Sequence, residues 1–270
     1  MNADRPISAD RHVSVVRAEW IAFSTIVRKE VNRFMRIWMQ TLLPPAISMS
    51  LYFVIFGQLI GSRIGQMGGY SYMQFMVPGL IMMAVVTNAY SNVVSSFYGA
   101  KFQRFIEELL VSPVSNHTIL WGFIVGGVLR GLMVGAIVTG LSLFFSHLHV
   151  EHIGVTVAIL LLTSLLFSLA GLINAVFANS FDDISIVPTF VITPLTYLGG
   201  VFYSISELPP FWATLSKFNP MLYIVNAFRY GLLGHSDVSV GFAFGMVGLF
   251  SLIAYIYSMH LLRTGKRLRL

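Results

Sequence analysis

The sequence predicts an all-α integral membrane protein. Three observations carry that prediction: six apolar stretches about as long as a bilayer is thick, a charged fraction of only 10%, and a lopsided distribution of Lys and Arg. A transmembrane helix needs about 20 mostly apolar residues. Such runs lie near 39–60, 73–98, 119–146, 153–178, 184–203 and 239–262. Soluble domains carry about 25% charged residues, and a chain with this much contiguous apolar surface does not remain a soluble monomer. Six spans and short connections leave no length for a separate soluble domain. Residues 39–270 therefore read as one membrane domain, preceded by a disordered tail at 1–12 and an amphipathic helix at 13–38.

The net charge of +6 is an orientation signal rather than a nucleic-acid footprint. Arg5, Arg11, Arg17, Arg28, Lys29, Arg33 and Arg36 precede the first span, Lys101 and Arg104 follow the second, and Arg263, Lys266, Arg267 and Arg269 close the chain. Arg63, Lys217 and Arg229 fall on the other side, and Arg130 falls within a span. The positive-inside rule then places both ends in the cytoplasm, where the basic residues meet anionic lipid headgroups. The chain has no cysteine, which excludes disulfides and thiolate chemistry. The polar opening and the long first apolar run argue against a cleavable signal peptide.

Taken in order, Val16, Trp20, Phe23, Val27, Val31, Phe34 and Trp38 recur every three or four residues between basic positions. That spacing predicts a helix lying in the cytoplasmic interface with its apolar stripe in lipid; a helix packed on protein fits the same pattern. Pro44 and Pro45 should kink the first span or mark its start, and Gly57 with Gly61 has the spacing of a close helix crossing. The second span carries Asn88 and Asn92 four residues apart. The third presents Gly127, Gly131 and Gly135 on one face, which reads as packing. The fifth contains Pro188 and Pro194. Between the fifth and sixth spans, Leu208, Phe211, Trp212, Leu215 and Phe218 share a helical face, Asn219-Pro220 reads as a helix start, and 221–233 is apolar but too short to cross. Two short helices dipping in from the outer face fit best.

The most informative loop is cytoplasmic, at 99–113. Phe102, Phe105, Ile106, Leu109 and Leu110 follow the amphipathic pattern, with Lys101, Arg104, Glu107 and Glu108 between them. A short helix of this kind within a loop is what a motor subunit could grip, although a simple interfacial helix has the same composition. The segments ELLVSPVS at 108–115, PLTYLGGVFY at 194–203 and NPMLYIVNAFRYG at 219–231, with FMRIW at 34–38 and FDDIS at 181–185, resemble the ABC-2 type family of transporter permeases, in its bacterial YadH-like subgroup. The resemblance covers essentially the whole chain. It implies a multi-pass inner-membrane subunit that works as a homodimer with two copies of a separate ABC-type ATPase, which binds ATP and Mg. It further implies export by alternating exposure of a path between the copies. On that reading 101–112 is the coupling helix, using Lys101, Phe102, Arg104, Phe105, Glu107, Glu108 and Leu109. Asp182 and Asp183 supply a second cytoplasmic contact, and the helix bearing Trp20, Arg28, Lys29, Arg33 and Arg36 is the interface helix.

No nucleotide site is legible in the chain. A P-loop needs Gly-x-x-x-x-Gly-Lys-Ser/Thr, and around Gly265-Lys266 the outer positions are His260 and Arg267. The candidate transport path comprises Asn88 and Asn92, the stripe Thr189, Thr193, Thr196 and Tyr197, and Arg130, where an intramembrane charge faces protein or water. Arg130 could equally tether neighbouring carbonyls, and the Thr stripe could equally be packing. His147, His149 and His152 lack a metal-site spacing, Asp182-Asp183 reads as a turn rather than a catalytic dyad, and no Gly-x-Ser-x-Gly elbow is present. A channel, an ion-coupled transporter or a non-transporting scaffold are the competing classes; the lack of mid-membrane acidic residues disfavours ion coupling. Relatives in the resembling family handle polysaccharides, lipids or drugs, and neither the fold nor the interfacial aromatics choose among them.

Overall fold

In bilayer hydrocarbon every backbone amide must bond within the protein, and the computed structural model, which describes residues 15–146, 150–265 and 267–268, is accordingly almost all helix. The tail at 1–12 lies outside the described residues. Helix α1 (Val15–Arg36) leads into the first span, Trp38–Ile64. That span is built from α2 (Trp38–Thr41), α3 (Leu43–Tyr52), a π-helical stretch at Phe53–Ile60 and α4 (Gly61–Ile64). Pro44 and Pro45 fall in the first turn of α3, where a missing N–H costs nothing. A two-residue hairpin, β1 (Gln66–Met67) with β2 (Tyr70–Ser71), turns through Gly68 and Gly69 at φ +59° and +84°, a backbone that side chains resist. Ser71 and Gln74 then form a reciprocal cap on the second span, α5 (Tyr72–Phe102).

Helix α6 (Phe105–Val111) follows after one left-handed residue, Arg104. The third and fourth spans are α7 (Asn116–Ser142) and α8 (Ile153–Phe177). The fifth segment comes in three five-residue pieces, α9 (Asp183–Val187), a π-turn at Pro188–Ile192 and α10 (Thr193–Tyr197). After a 3-10 turn at Ile205–Glu207 come α11 (Pro210–Ser216), α12 (Pro220–Leu233) and the last span, α13 (Val240–Thr264).

Five helices are long and apolar enough to cross a membrane, and the expected crossing at 184–203 is not among them. Its helical part is about 22 Å long at 1.5 Å per residue, short of the ~30 Å hydrocarbon core. Pro188 and Pro194 lie within the helical run, at its π-turn and the start of α10, where neither donates an N–H, and the run ends in the turn at 198–200, where Gly200 takes φ +73°. The chain nevertheless runs on beside α5. Phe181 packs edge-on against Tyr98 at 4.9 Å, and the Tyr72 hydroxyl donates to the Phe202 carbonyl at 3.1 Å. Those two tyrosines stand ~39 Å apart along α5.

Helix α5 is the axis of the molecule. In its most apolar window 83% of residues are buried, against 11% for the first span and 17% for α13. The glycine face of α7 serves packing, as its spacing suggests. A Cβ at Gly131 would come within 3.0 Å of Ala89, and one at Gly127 within 2.4 Å of both Val93 and Ser168. On α8, a Cβ at Gly171 would lie 2.6 Å from the Tyr90 carbonyl oxygen. By contrast Gly248 on α13 faces open space. Gly171→Ala should therefore destabilise the protein by about 1–3 kcal/mol through overpacking against rigid backbone. Gly248→Ala should be neutral or gain up to about 1 kcal/mol. Thermal unfolding of the two variants in one detergent checks the contrast.

Candidate functional site

The basic excess gathers at one end of the bundle, here called the inner end, and the residues singled out from sequence divide between that end and the middle of the spans. At the inner end α5 stops at Phe102, and Arg104 at φ +62° redirects the chain into α6. The amphipathic segment expected at 101–112 is thus two elements. Ile106 is fully buried and Leu109 half-buried, whereas Phe102 and Phe105 are about half exposed and Val111 is 85% exposed. Glu107 is half-buried and Glu108 exposed. Lys101 points away from this surface. Its side chain is 2% exposed, and Nζ donates to the carbonyls of Val176 and Ala178, both at 2.8 Å, sealing the end of α8.

The turn at 178–183 packs beside α6. Phe181 contacts Phe102 at 5.3 Å and Tyr98 at 4.9 Å, and stays 54% exposed. Asp183 spends its carboxylate locally. Oδ2 accepts from the Asn179 and Ser180 amides at 2.8 and 3.2 Å, while its own amide bonds the Ser180 hydroxyl. Asp182 is exposed at the same turn.

Helix α1 runs alongside α7 in constant register. Glu19 meets Ser115, Ile26 meets Gly122 and Glu30 meets Gly126, an offset of 96 residues each time. Its buried face is Ile26, Glu30 and Phe34. The stripe expected in lipid divides, with Phe34 inside and Trp20 outside. Arg28, Lys29 and Arg36 are exposed, and the Lys29 ammonium sits 5.5 Å from the Phe105 ring centroid, linking α1 to α6. At its start, Glu19 Oε1 accepts from the Ser115 amide at 2.8 Å. Hydrogen bonding from Thr118 and Ser115 holds the Glu19 carboxyl below the usual carboxylate range.

Arg33 turns inward. It donates to Glu30 Oε2 at 3.2 Å, to Asn92 Oδ1 at 2.8 Å and to the Asn92 carbonyl at 3.0 Å, while the Ser96 hydroxyl donates to Glu30 Oε1 at 2.5 Å. One turn away Arg130 donates to Asn88 Oδ1 at 3.1 Å and feels the charge of Arg33. Each asparagine of α5 thus holds one guanidinium, and Glu30 offsets part of their charge. Arg33 Nε, Arg130 Nε and Asn92 Nδ2 are buried without a partner. Sequence reading missed Glu30. Its signal was the i, i+4, i+8 alignment with Ile26 and Phe34, obscured by the stronger basic pattern.

The structure does not bring the fifth segment's candidates to this cluster. Thr193 and Thr196 bond their own helix through the carbonyls of Pro188 and Ile192, and Thr196 is buried. Thr189 and Tyr197 are exposed. Tyr197 lies 3.1 Å from the Tyr52 hydroxyl, in an aromatic group completed by Phe56 and Phe202. Arg229, counted from sequence with the outer-side cations, is fully buried in α12. It donates to the carbonyls of Phe75 and Gly200 and lies 3.7 Å over the Phe75 ring. Among the described residues no group of three potential metal ligands occurs. His147 and His149 lie outside them, and His152 stacks on Tyr230.

Comparison with known proteins agrees with this architecture. Residues 21–233 match the ABC-2 type transporter family. The chain is 61% identical over 251 residues to the inner membrane transport permease YadH of Escherichia coli strain K12, covering 93% of this chain and 98% of that one. It is 24% identical over 245 residues to nodulation protein J of Rhizobium leguminosarum bv. trifolii, covering 90% and 92%, and 23% identical over 248 residues to that of Rhizobium meliloti. The chain belongs to the ABC-2 type transporter family and is a multi-pass inner-membrane transport permease.

Proposed function

We propose that this chain is the membrane-spanning half of an ATP-driven exporter. It crosses the membrane six times with both ends cytoplasmic, pairs with a second copy of itself to enclose the transport path, and is driven by two copies of a separate ATPase that binds ATP and Mg. The observation that carries the reading is the inner surface formed by α6 and the 178–183 turn. Phe102, Phe105, Val111 and Phe181 remain exposed there beside Glu107 and Glu108. An apolar patch rimmed by charge marks a protein or membrane contact, and this one is joined to the central helix through only two residues, Gln103 and Arg104. Force on α6 reaches α5 directly, and reaches α8 through Lys101.

The first span supports the homodimer, since only 11% of the residues in its most apolar window are buried within this chain. The sixth crossing rests on the course of 181–202 along α5. The geometry of α11 and α12 favours a re-entrant pair: Asn219 reaches the Leu195 carbonyl inside the bundle, while the Leu233 carbonyl accepts from Tyr70 beside the outer hairpin. The Asn88–Asn92 cluster is a joint between α1 and the spans as well as a candidate path lining. Its unpaired buried donors favour a rearrangement during the cycle.

Reversing both charges, Glu107→Lys with Glu108→Lys, should lower capture of the co-expressed ATPase at least 10-fold while the permease itself remains membrane-inserted. Wild-type capture with coupled ATP hydrolysis in that variant would refute the docking assignment. Glu30→Ala removes the acceptor for Arg33 and Ser96. It should cost about 1–3 kcal/mol, less than a fully buried pair because Arg33 keeps a quarter of its exposure. Thermal unfolding measures that loss, and substrate-stimulated ATP hydrolysis in proteoliposomes should fall with it. Glu30→Gln should retain more of both.

A further inference from the structure

A cavity of about 610 Å³ opens between α8, the broken fifth segment, the start of α12 and α13. No charged side chain lines it. From Leu166 to Phe177 it follows three turns of α8, a rise of about 16 Å, close to the ~15 Å thickness of one hydrocarbon leaflet. Its deep end is closed by Leu195, Pro220 and Met221. Polar groups gather at its inner end. The Tyr90 hydroxyl, on a side chain with 0% exposure, lines the cavity; Asn174 bonds its oxygen only loosely, and its O–H donates to no acceptor. It faces Asn174, whose amide makes a long 3.5 Å contact with the Ile184 carbonyl. At the mouth the exposed Arg267 guanidinium lies 5.1 Å from the centroid of Phe177, a lining residue.

We propose that this cavity seats one acyl chain of an inner-leaflet phospholipid. The chain's ester carbonyl accepts a hydrogen bond from the Tyr90 hydroxyl, its methylenes run to Met221, and its phosphate meets Arg267. Three properties select this occupant. The gradient, from cation at the inner face through a buried donor to a purely apolar end, matches the order of groups along a phospholipid. The depth matches one leaflet. An α-helix, about 10–12 Å across with its side chains, does not enter a space of this volume, which disfavours a segment of a second copy. The site stands independently of the ATPase reading, because it needs neither docking nor transport.

The test uses the full-length protein in nanodiscs of phosphatidylethanolamine and phosphatidylglycerol carrying a mid-chain diazirine, with native mass spectrometry after mild extraction. Wild type should retain one phospholipid per chain and crosslink within 166–177 or 250–257. Ala254→Trp and Ala170→Trp, which fill the cavity, should each cut retention at least five-fold. Tyr90→Phe and Arg267→Glu should each cut it about three-fold, while Leu252→Trp, on the lipid face outside the cavity, should leave it unchanged. Wild-type retention in both tryptophan variants overturns the proposal. So does lipid adduct formation elsewhere on the chain with none on 166–177 or 250–257.

Discussion

A carbonyl or amide buried in hydrocarbon has no water to bond, and this constraint organises the molecule. Helices meet it internally along their length, so the critical places are where helices stop or break at membrane depth. At each such place a polar side chain from another element takes the orphaned carbonyl. Lys101 takes Val176 and Ala178 at the end of α8. Asn219 takes Leu195 at 2.6 Å, where the fifth segment loosens. Arg229 takes Gly200 and Tyr72 takes Phe202 along the non-helical stretch that follows, and Arg229 also bonds the Phe75 carbonyl in the first turn of α5. These bonds let an irregular chain lie at a depth where unpaired backbone would cost several kcal/mol per group. They also fix the broken segment to α5, so the least regular part of the fold is tied to the most buried part.

The same economy explains the polar joint at the inner end. Glycines at 122 and 126 on α7 admit Ile26 and Glu30 of α1 to distances a side chain would forbid. Close approach alone would bury Glu30 as a lone charge; Arg33 and Ser96 compensate it, and Asn92 completes the fork of Arg33. Glycine spacing, which in sequence reads as simple packing, here determines where an ionic contact can form. The amphipathic helix is consequently part of the bundle and not a float on its surface.

Long periodic features were legible in the sequence. The runs at 73–98, 119–146, 153–178 and 239–262 correspond to α5, α7, α8 and α13, although α7 stops at Ser142, four residues short of the expected end; a bilayer-length apolar run has few other solutions. The helix start at Asn219-Pro220 was equally plain, with Asn219 capping the Met221 amide at 2.9 Å. What escaped depends on partners distant in sequence. Lys101 and Glu107 fall in one amphipathic pattern, yet a single left-handed residue between them sends one into the core and leaves the other near the surface. Arg229 counted as an outer-side cation because its apolar run is too short to cross, and nothing local tells that two carbonyls 29 and 154 residues away await it. Thr196 lay on a plausible polar stripe, but the π-turn at 188–192 rotates that stripe, and its hydroxyl ends on its own backbone.

Rigidity is unevenly distributed, and its pattern bears on the transport path. The interlocked helices α5, α7 and α8 have regular ladders and glycine-notched contacts that leave little slack. The first and fifth spans differ on both counts, since each carries a π-helical stretch and each buries little of its surface in this chain. Such stretches hold their hydrogen bonds in a poorer geometry and recur at functional sites. Here the two spans meet at Tyr52, Phe56, Tyr197 and Phe202. Phe181, near the inner start of the fifth segment, touches Phe102 beside α6. On the proposed reading, a push on α6 meets a stiff core through α5 and a compliant strut through the 178–183 turn. The compliant route leads to the tyrosine pair, so the aromatic group between the first and fifth spans is the place where motion at the inner surface would reopen contacts near the outer one.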